Sequence, residues 1–122
     1  MKRILIIEDE DALREALVSH LTNVGYQAEG VFSTEEGLQR ATENPPDLIL
    51  LDVITRSLHA SVFLKQLREE ANPAKETPVI VLTNMDDAET HEKVKQYGIS
   101  GYFIKANVSL AKLTEAIRAL GI

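Results

Sequence analysis

Near its middle the chain reads Asp47-Leu48-Ile49-Leu50-Leu51-Asp52, a continuous apolar run that ends on a carboxylate. A strand that helices cover on both faces has this pattern, because neither of its faces meets water. With four further runs, the predicted strands are Lys2–Ile7, Ala28–Phe32, Asp47–Leu51, Pro78–Leu82 and Gly101–Ile104. The second run is the most polar, which is typical of an edge strand.

Segments of helical periodicity separate these runs. Ser33 with Glu36 has capping-box spacing for the second helix, and Asp86 with Glu89 opens the fourth. Gly25 is expected at the C-terminal end of the first helix. The predicted apolar stripes of the first, third and fifth helices are Leu13, Leu17, Leu21 and Val24, then Val62, Leu64 and Leu67, then Leu110, Leu113, Ile117 and Leu120.

The strict alternation of strand and helix indicates an α/β protein with a parallel sheet. The first strand is expected at the centre, because its run is long and wholly apolar. Right-handed crossovers then favour the strand order 2-1-3-4-5, a three-layer (βα)5 doubly wound sheet of the flavodoxin-like type. With 122 residues, the chain is expected to form a single domain over residues 1–122, without room for a separate output domain.

The composition argues against several classes of function. The chain has no cysteine, which excludes disulfides, thiolate zinc sites and thiol catalysis. Its formal net charge of −6 argues against direct contact with nucleic acid. No apolar segment approaches the length of a membrane span, and the apolar stretch near Met1 is too short for a signal peptide. We therefore expect a cytoplasmic location without membrane contact.

Polar groups follow or end four of the predicted strands, and they are Glu8, Asp9, Asp52, Thr83 and Lys105. The carboxyl ends of parallel strands meet at one edge of the sheet, where ligands bind. Clustered carboxylates repel each other unless a cation lies among them, and Mg²⁺ prefers oxygen ligands. We therefore predict a Mg²⁺ site formed by Glu8, Asp9 and Asp52, with the backbone carbonyl of Ile54 as a further ligand.

Asp52 is the candidate nucleophile of this edge. Carboxylates attack phosphoryl groups and form aspartyl-phosphates. Lys105 would neutralise one phosphoryl oxygen, and Thr83 would donate a hydrogen bond to another. Each of these residues alone is more often a cap or a solvated side chain, so the prediction depends on their joint occurrence at one edge.

Four motifs resemble those of the receiver domain of two-component response regulators in order and spacing, and the resemblance covers residues 2 to 120. They are Ile7-Glu8-Asp9, Leu50-Leu51-Asp52, Leu82-Thr83 and Gly101-Tyr102-Phe103-Ile104-Lys105. The chain looks like a stand-alone, chemotaxis-regulator-like receiver. The resemblance implies that Glu8 and Asp9 bind the metal and that a histidine kinase or a phosphotransfer protein phosphorylates Asp52.

The resemblance also implies how the signal would leave the site. Thr83 and Lys105 would sense the phosphoryl group. Tyr102 stands where the family carries a switch aromatic, which couples phosphorylation to the face of helix 4, strand 5 and helix 5. An unknown downstream protein, or a second copy of the chain in a homodimer, would bind that face. A half-buried aromatic with no switch role is the alternative for Tyr102.

The chain departs from the family's pattern in three loops. Arg56 stands where the family usually has proline, and Ala60 stands in place of glycine. Asn84 replaces a small residue after the threonine, and Ala106 replaces the proline after the lysine. We expect a trans bond before Ala106, because a cis bond to a non-proline residue costs about 2.5–4 kcal/mol.

Two other functions compete with a phosphorylation-activated switch. The altered loops are compatible with a pseudo-receiver, a binding module that acts without phosphorylation. A phosphohydrolase would need a second acid two residues after Asp52, where Ile54 stands. We therefore expect no enzyme activity beyond the protein's own phosphoryl transfer and dephosphorylation. No ligand role is expected of His20 and His91, which have no acidic or histidine partner at ligand spacing. His59 is expected to be a solvated loop residue, and contact with an incoming phosphodonor is the alternative.

Overall fold

The computed structural model of the protein describes residues 1–52, 60–84 and 88–122. Five parallel strands form one sheet in the order β2-β1-β3-β4-β5, which confirms the predicted topology. The strands are β1 (Arg3–Ile7), β2 (Gln27–Val31), β3 (Leu48–Leu51), β4 (Val79–Thr83) and β5 (Gly101–Ile104). Each boundary lies within one residue of its prediction, and the polar β2 is an edge strand as expected.

Helices cover both faces of the sheet and complete the predicted three layers. They are α1 (Asp11–Asn23), α2 (Thr34–Glu43), α3 (Ala60–Leu67), α4 (Ala88–Lys95) and α5 (Leu110–Ala119), with a 3₁₀ turn at Lys105–Asn107. α1 and α5 pack against one face through Leu17, Leu21, Leu113 and Ile117. α2, α3 and α4 pack against the other face, with Phe63, Leu64 and Leu67 at its centre. None of the helices in the described part of the chain is both long and apolar enough to span a bilayer.

The two central strands form a rigid base for the groups that follow them. Ile4–Ile7 and Leu48–Leu51 are each at most 3% exposed, and successive side chains enter opposite core clusters. Burial of one such side chain contributes roughly 1.5–3 kcal/mol. The backbone at the ends of β1 and β3 is therefore held by packing on both sides.

Two of the predicted apolar stripes were partly wrong. In α3 the buried stripe is Ala60, Phe63, Leu64 and Leu67, while Val62 is 39% exposed. This stripe has the i, i+3, i+4, i+7 spacing of one helix face, and Val62 lies outside it. In α5 only the middle of the predicted stripe is buried, since Leu110 and Leu120 at the helix ends are 38% and 40% exposed.

The predicted helix ends were largely correct. The Ser33 hydroxyl accepts a hydrogen bond from the Glu36 N–H at 3.2 Å, but the Glu36 carboxylate pairs with Arg40, so only half of the capping box forms. Gly25 follows the end of α1 with φ +106°, as a C-terminal glycine should. Asp86, predicted to open the fourth helix, lies outside the described residues.

Arg68 forms hydrogen bonds to both of the segments that lead into β4 and β5. Its guanidinium donates to the carbonyls of Lys75 and Thr77, at 3.0 and 2.7 Å, and to those of Tyr97 and Gly98, at 3.0 and 2.8 Å. Burial lowers the pKa of the Arg68 guanidinium. Its four hydrogen bonds are all to neutral carbonyls, so none of these bonds offsets the effect of burial with a negative charge. This arginine fixes the start of the two strands whose far ends carry Thr83 and Lys105.

Candidate functional site

Glu8 and Asp52, the first two carboxylates of the site, follow adjacent strands at the same level of the sheet. Ile7 is paired with Leu51 in the sheet, so Glu8 and Asp52 follow paired residues. The Asp52 N–H donates to the Ile7 carbonyl at 3.1 Å, and the Glu8 N–H donates to the Val31 carbonyl at 3.0 Å. Both side chains therefore start from backbone that the sheet itself holds in place.

Lys105 joins these two carboxylates. It follows β5 directly, and its Nζ lies 2.7 Å from Glu8 Oε1 and 2.9 Å from Asp52 Oδ2. The side chains of Glu8, Asp52 and Lys105 are only 2%, 5% and 15% exposed. The ammonium is thus a buried bridge between two strand ends that are 44 residues apart in sequence.

The charges of the site are out of balance. Burial raises the pKa of the Glu8 carboxyl from 4.5 to about 7, and Asp52 adds to this, against the opposing effects of Lys105 and the Glu10 N–H. Burial alone would lower the pKa of Lys105, but its hydrogen bonds to Glu8 and Asp52 outweigh that effect and raise it. Among the described residues, the Lys105 ammonium is therefore shared between two buried carboxylates.

Asp9 completes a set of three oxygen ligands. One carboxylate oxygen from each of Glu8, Asp9 and Asp52 lies within 4.8 Å of the other two. Asp9 is partly exposed, which leaves an approach from solvent. These three carboxylates, whose negative charge Lys105 compensates only in part, fit Mg²⁺. This ion is bound by one or two carboxylates, waters and phosphate oxygens. Ile54, predicted to add its carbonyl, lies outside the described residues.

Thr83 and Asn84 stand at the same edge of the sheet. Thr83 is the last residue of β4, is fully buried and is paired with Ile104, the residue before Lys105. Asn84 follows it and is exposed. The structure therefore brings Thr83 to the end of the strand beside Lys105, and its predicted phosphate-sensing role stays a prediction.

Tyr102 contacts a residue that the sequence did not connect to it. Its ring stacks on that of His91 in α4, with centroids 4.3 Å apart and an angle of 17° between the planes. Tyr102 is half-buried against the core on the α2–α3–α4 side, while His91 is exposed. The stack joins α4 to β5, and no sequence signal relates two residues on different elements in this way.

Arg14 is a second contributor that the sequence did not indicate. Its Nη1 donates to the backbone carbonyl of Glu8 at 3.0 Å. The Glu10 N–H also donates to Glu8 Oε2 at 3.0 Å. The only available signal was the position of Arg14 in the first turns of the helix that follows the acidic pair.

The other predictions at this edge have mixed outcomes. The bond between Lys105 and Ala106 is trans, as predicted, since the described residues contain no cis peptide bond. Ala60 begins α3 and is buried. Arg56 and His59 lie outside the described residues. His20 hydrogen-bonds Thr114 at 2.8 Å and so joins α1 to α5.

A family model described as the response regulator receiver domain matches residues 4–118. The chain belongs to this family. The receiver domain is 31% identical over 122 residues to the response regulator ArlR of Staphylococcus aureus, a match over 98% of this chain and 52% of ArlR. The chain therefore spans about half the length of the curated relatives it matches.

Solved structures share the fold of this receiver domain. The chemotaxis protein CheY4 of Vibrio cholerae matches with a TM-score of 0.87 and 24% identity, over 98% of both chains. A DNA-binding response regulator of the LuxR family from Staphylococcus aureus matches with a TM-score of 0.89 and 20% identity, over 100% of both chains. These identities establish likeness of fold alone.

Proposed function

We propose that this receiver domain is a phosphorylation-activated switch that accepts a phosphoryl group on Asp52. The donor would be a histidine kinase or a phosphotransfer protein. One observation carries the proposal: the Lys105 ammonium bridges the buried carboxylates of Asp52 and Glu8 at 2.9 and 2.7 Å, beside an oxygen of the partly exposed Asp9. A nucleophilic carboxylate, a fixed cation and an acidic pair therefore stand at one edge.

The proposed reaction needs little from the protein beyond positioning. A carboxylate oxygen of Asp52 attacks phosphorus, and the bond from phosphorus to the donor's imidazole nitrogen breaks. The imidazole leaves with the electron pair and regains its proton from water. Lys105 lies within 3 Å of the attacking carboxylate, where its charge would oppose the negative charge on the phosphoryl oxygens.

Glu8, Asp9 and Asp52 are the residues that would hold Mg²⁺. When ionised, these three carboxylates carry three negative charges, and Lys105 brings one positive charge to them within the described residues, so a divalent cation would be attracted to the site. When bound, the cation would reduce the repulsion between Asp52 and an incoming phosphate. The raised pKa of Glu8 supports this assignment, because it reflects a buried acid with too little positive charge around it.

The output would be a change in the surface that partners bind. We propose that phosphorylation draws the Thr83 hydroxyl toward the phosphoryl group and shifts an existing equilibrium at α4 and β5. The stack of His91 on Tyr102 lies on that surface. A downstream protein, or a second copy in a homodimer, would bind the α4–β5–α5 face. The protein would catalyse only its own phosphoryl transfer and dephosphorylation.

Phosphorylation by acetyl phosphate with Mg²⁺ tests the proposal, with intact-mass spectrometry as the readout. The wild type should gain one phosphoryl group, and chelation of Mg²⁺ should abolish the gain. Asp52→Asn should not gain it. Asp47→Asn is the matched control, because Asp47 precedes the same strand at its other end, where its Oδ2 accepts from the Arg3 N–H at 2.8 Å. It should react as the wild type does.

Two results would count against the proposal. If the folded wild type takes up no phosphoryl group, the pseudo-receiver becomes the better account. If Asp52→Asn is modified as fully as the wild type, another residue is the acceptor. Either result would remove Asp52 from the role assigned to it.

A further inference from the structure

We propose that Arg14 is a positioning residue for the Mg²⁺ site, acting through the backbone carbonyl of Glu8. The inference rests on the proposed function, because it concerns affinity for the cation of that site. Arg14 touches none of the three predicted ligand carboxylates in the hydrogen bonds described. It would act by fixing the course of the chain that carries Glu8 and Asp9.

Four hydrogen bonds hold Glu8, and Arg14 supplies the one to its carbonyl. The Glu8 N–H bonds to Val31, and its two carboxylate oxygens contact Lys105 and the Glu10 N–H. The Arg14 Nη1 bond to the Glu8 carbonyl, at 3.0 Å, completes the set. The peptide unit is planar, so fixing this carbonyl also fixes the amide nitrogen of Asp9. The direction in which Asp9 leaves the strand is thereby set.

Gly30 provides the space in which the arginine stem lies. Gly30 is in β2, paired with Ile6, two residues before Glu8. A Cβ atom at Gly30 would lie 2.8 Å from Cγ and 3.1 Å from Cδ of Arg14. Glycine weakens a strand interior and often marks the close approach of another group. Here the nearest group is the stem of Arg14, whose side chain is only 19% exposed, and Cγ2 of Val18 lies 3.1 Å from the same Cβ position.

The ordinary alternative is a surface ion pair between Arg14 and Asp11. Their atoms are 2.6 Å apart, but the Asp11 side chain is 82% exposed, and exposed pairs contribute little to stability. A purely electrostatic role and a positioning role predict opposite changes in Mg²⁺ affinity when Arg14 is removed. If Arg14 acts only as a positive charge near the site, its removal should strengthen Mg²⁺ binding. If it positions Glu8 and Asp9, its removal should weaken binding.

Titration of the full chain with Mg²⁺ at low ionic strength, with the binding measured by calorimetry, separates these roles. Arg14→Ala should bind Mg²⁺ roughly 10-fold more weakly, the lower end of the range for groups that orient ligands. Arg14→Lys should recover part of the loss, because an ammonium can also donate to the carbonyl. Arg40→Ala is the matched control: Arg40 pairs with exposed Glu29 and Glu36 and should leave the affinity unchanged.

Gly30→Ala tests the same idea without a change of charge. The added methyl group should displace the Arg14 stem and weaken Mg²⁺ binding, by less than Arg14→Ala does. In the Arg14→Ala background its effect on Mg²⁺ binding should be much smaller, because the Arg14 stem is gone and only the contact with Val18 Cγ2 remains. Unfolding of each variant in the presence of a chelator shows whether it is folded at the titration temperature.

The outcomes are distinct. Unchanged or tighter Mg²⁺ binding by Arg14→Ala, or an equal loss in Arg40→Ala, overturns the inference while the proposed function stands. A Gly30→Ala loss of Mg²⁺ affinity that is equally large in the Arg14→Ala background overturns the role of Gly30. A wild type that binds no Mg²⁺ overturns the proposed metal site, and the inference falls with it.

Discussion

Replacing Glu8 by glutamine should stabilise the metal-free protein at alkaline pH while removing a proposed Mg²⁺ ligand. Burial raises the pKa of Glu8 to about 7 in the folded protein, against 4.5 as its ordinary value. Between these values the folded state keeps a proton that the unfolded state has lost, so stability falls as pH rises. The stabilisation that this raised pKa represents is fully present below pH 4.5 and is lost as the pH rises through about 7, where the folded protein ionises Glu8.

The magnitude follows from these two values. At 1.36 kcal/mol per unit of pKa, the ionised Glu8 destabilises the fold by about 3 kcal/mol above pH 7. A glutamine has one oxygen where Glu8 has two, so it can accept from Lys105 or from the Glu10 N–H but not from both. The lost bond costs about 1 kcal/mol. Glu8→Gln should therefore be about 2 kcal/mol more stable than the wild type near pH 8.5, and no more stable below pH 4.5.

Urea unfolding in a chelator, repeated across this pH range, measures the difference. Glu10→Gln is the matched control, because Glu10 is exposed and its substitution should change stability by less than about 0.5 kcal/mol. Added Mg²⁺ should stabilise the wild type and leave Glu8→Gln nearly unchanged. A Glu8→Gln variant that is less stable than the wild type near pH 8.5, or a difference that does not vary with pH, would show that the Glu8 carboxyl does not have a raised pKa in the folded protein.

Three further substitutions have definite expected results. Lys105→Met should lower the free energy of unfolding by about 3 kcal/mol in urea near pH 8.5, because two buried carboxylates lose their cation; an unchanged value would contradict the buried bridge. Arg68→Ala should cost about 3 kcal/mol in the same assay, since four carbonyls at the start of β4 and β5 lose their donor, and a loss below about 1 kcal/mol would show that water replaces it. His91→Ala should cost less than about 1 kcal/mol but change the ring resonances of Tyr102 in NMR spectra, and identical resonances would mean that the stack is not formed in solution.

The sequence predicts the sheet and the meeting of its polar groups for one physical reason. Parallel strands covered on both faces are apolar throughout, so their ends are visible where the apolar run stops. Glu8, Asp52 and Lys105 each stand at such a stop, and the topology brings them to one edge. The structure places them within hydrogen-bonding distance, as the topology requires.

What the sequence did not predict depends on packing between distant elements. The bond from Arg14 to the Glu8 carbonyl requires that α1 lie over Gly30 in β2, which no local pattern encodes. The stack of His91 on Tyr102 depends in the same way on how α4 meets β5. These contacts depend on how whole elements pack against each other, not on the local sequence.

The burial of Val62 was mispredicted for a related reason. A β-branched residue in an apolar segment was assigned to the core, but Phe63 occupies that position instead. The helix presents one face, and its rotation is set by how its largest apolar side chains fill the space against the sheet. Phe63 and Leu67 determine that rotation here, and Val62 is turned toward solvent.

A crystal structure of the protein with Mn²⁺ and beryllofluoride tests most directly whether Asp52, the acidic pair Glu8 and Asp9, and Lys105 form one phosphoryl-accepting site. Mn²⁺ accepts the same oxygen ligands as Mg²⁺, and its anomalous signal locates it. We expect the metal among the carboxylates of Glu8, Asp9 and Asp52, and beryllium bonded to an Asp52 carboxylate oxygen with its fluorides in contact with Lys105. Metal bound elsewhere, or beryllofluoride on a different side chain, would contradict this expectation.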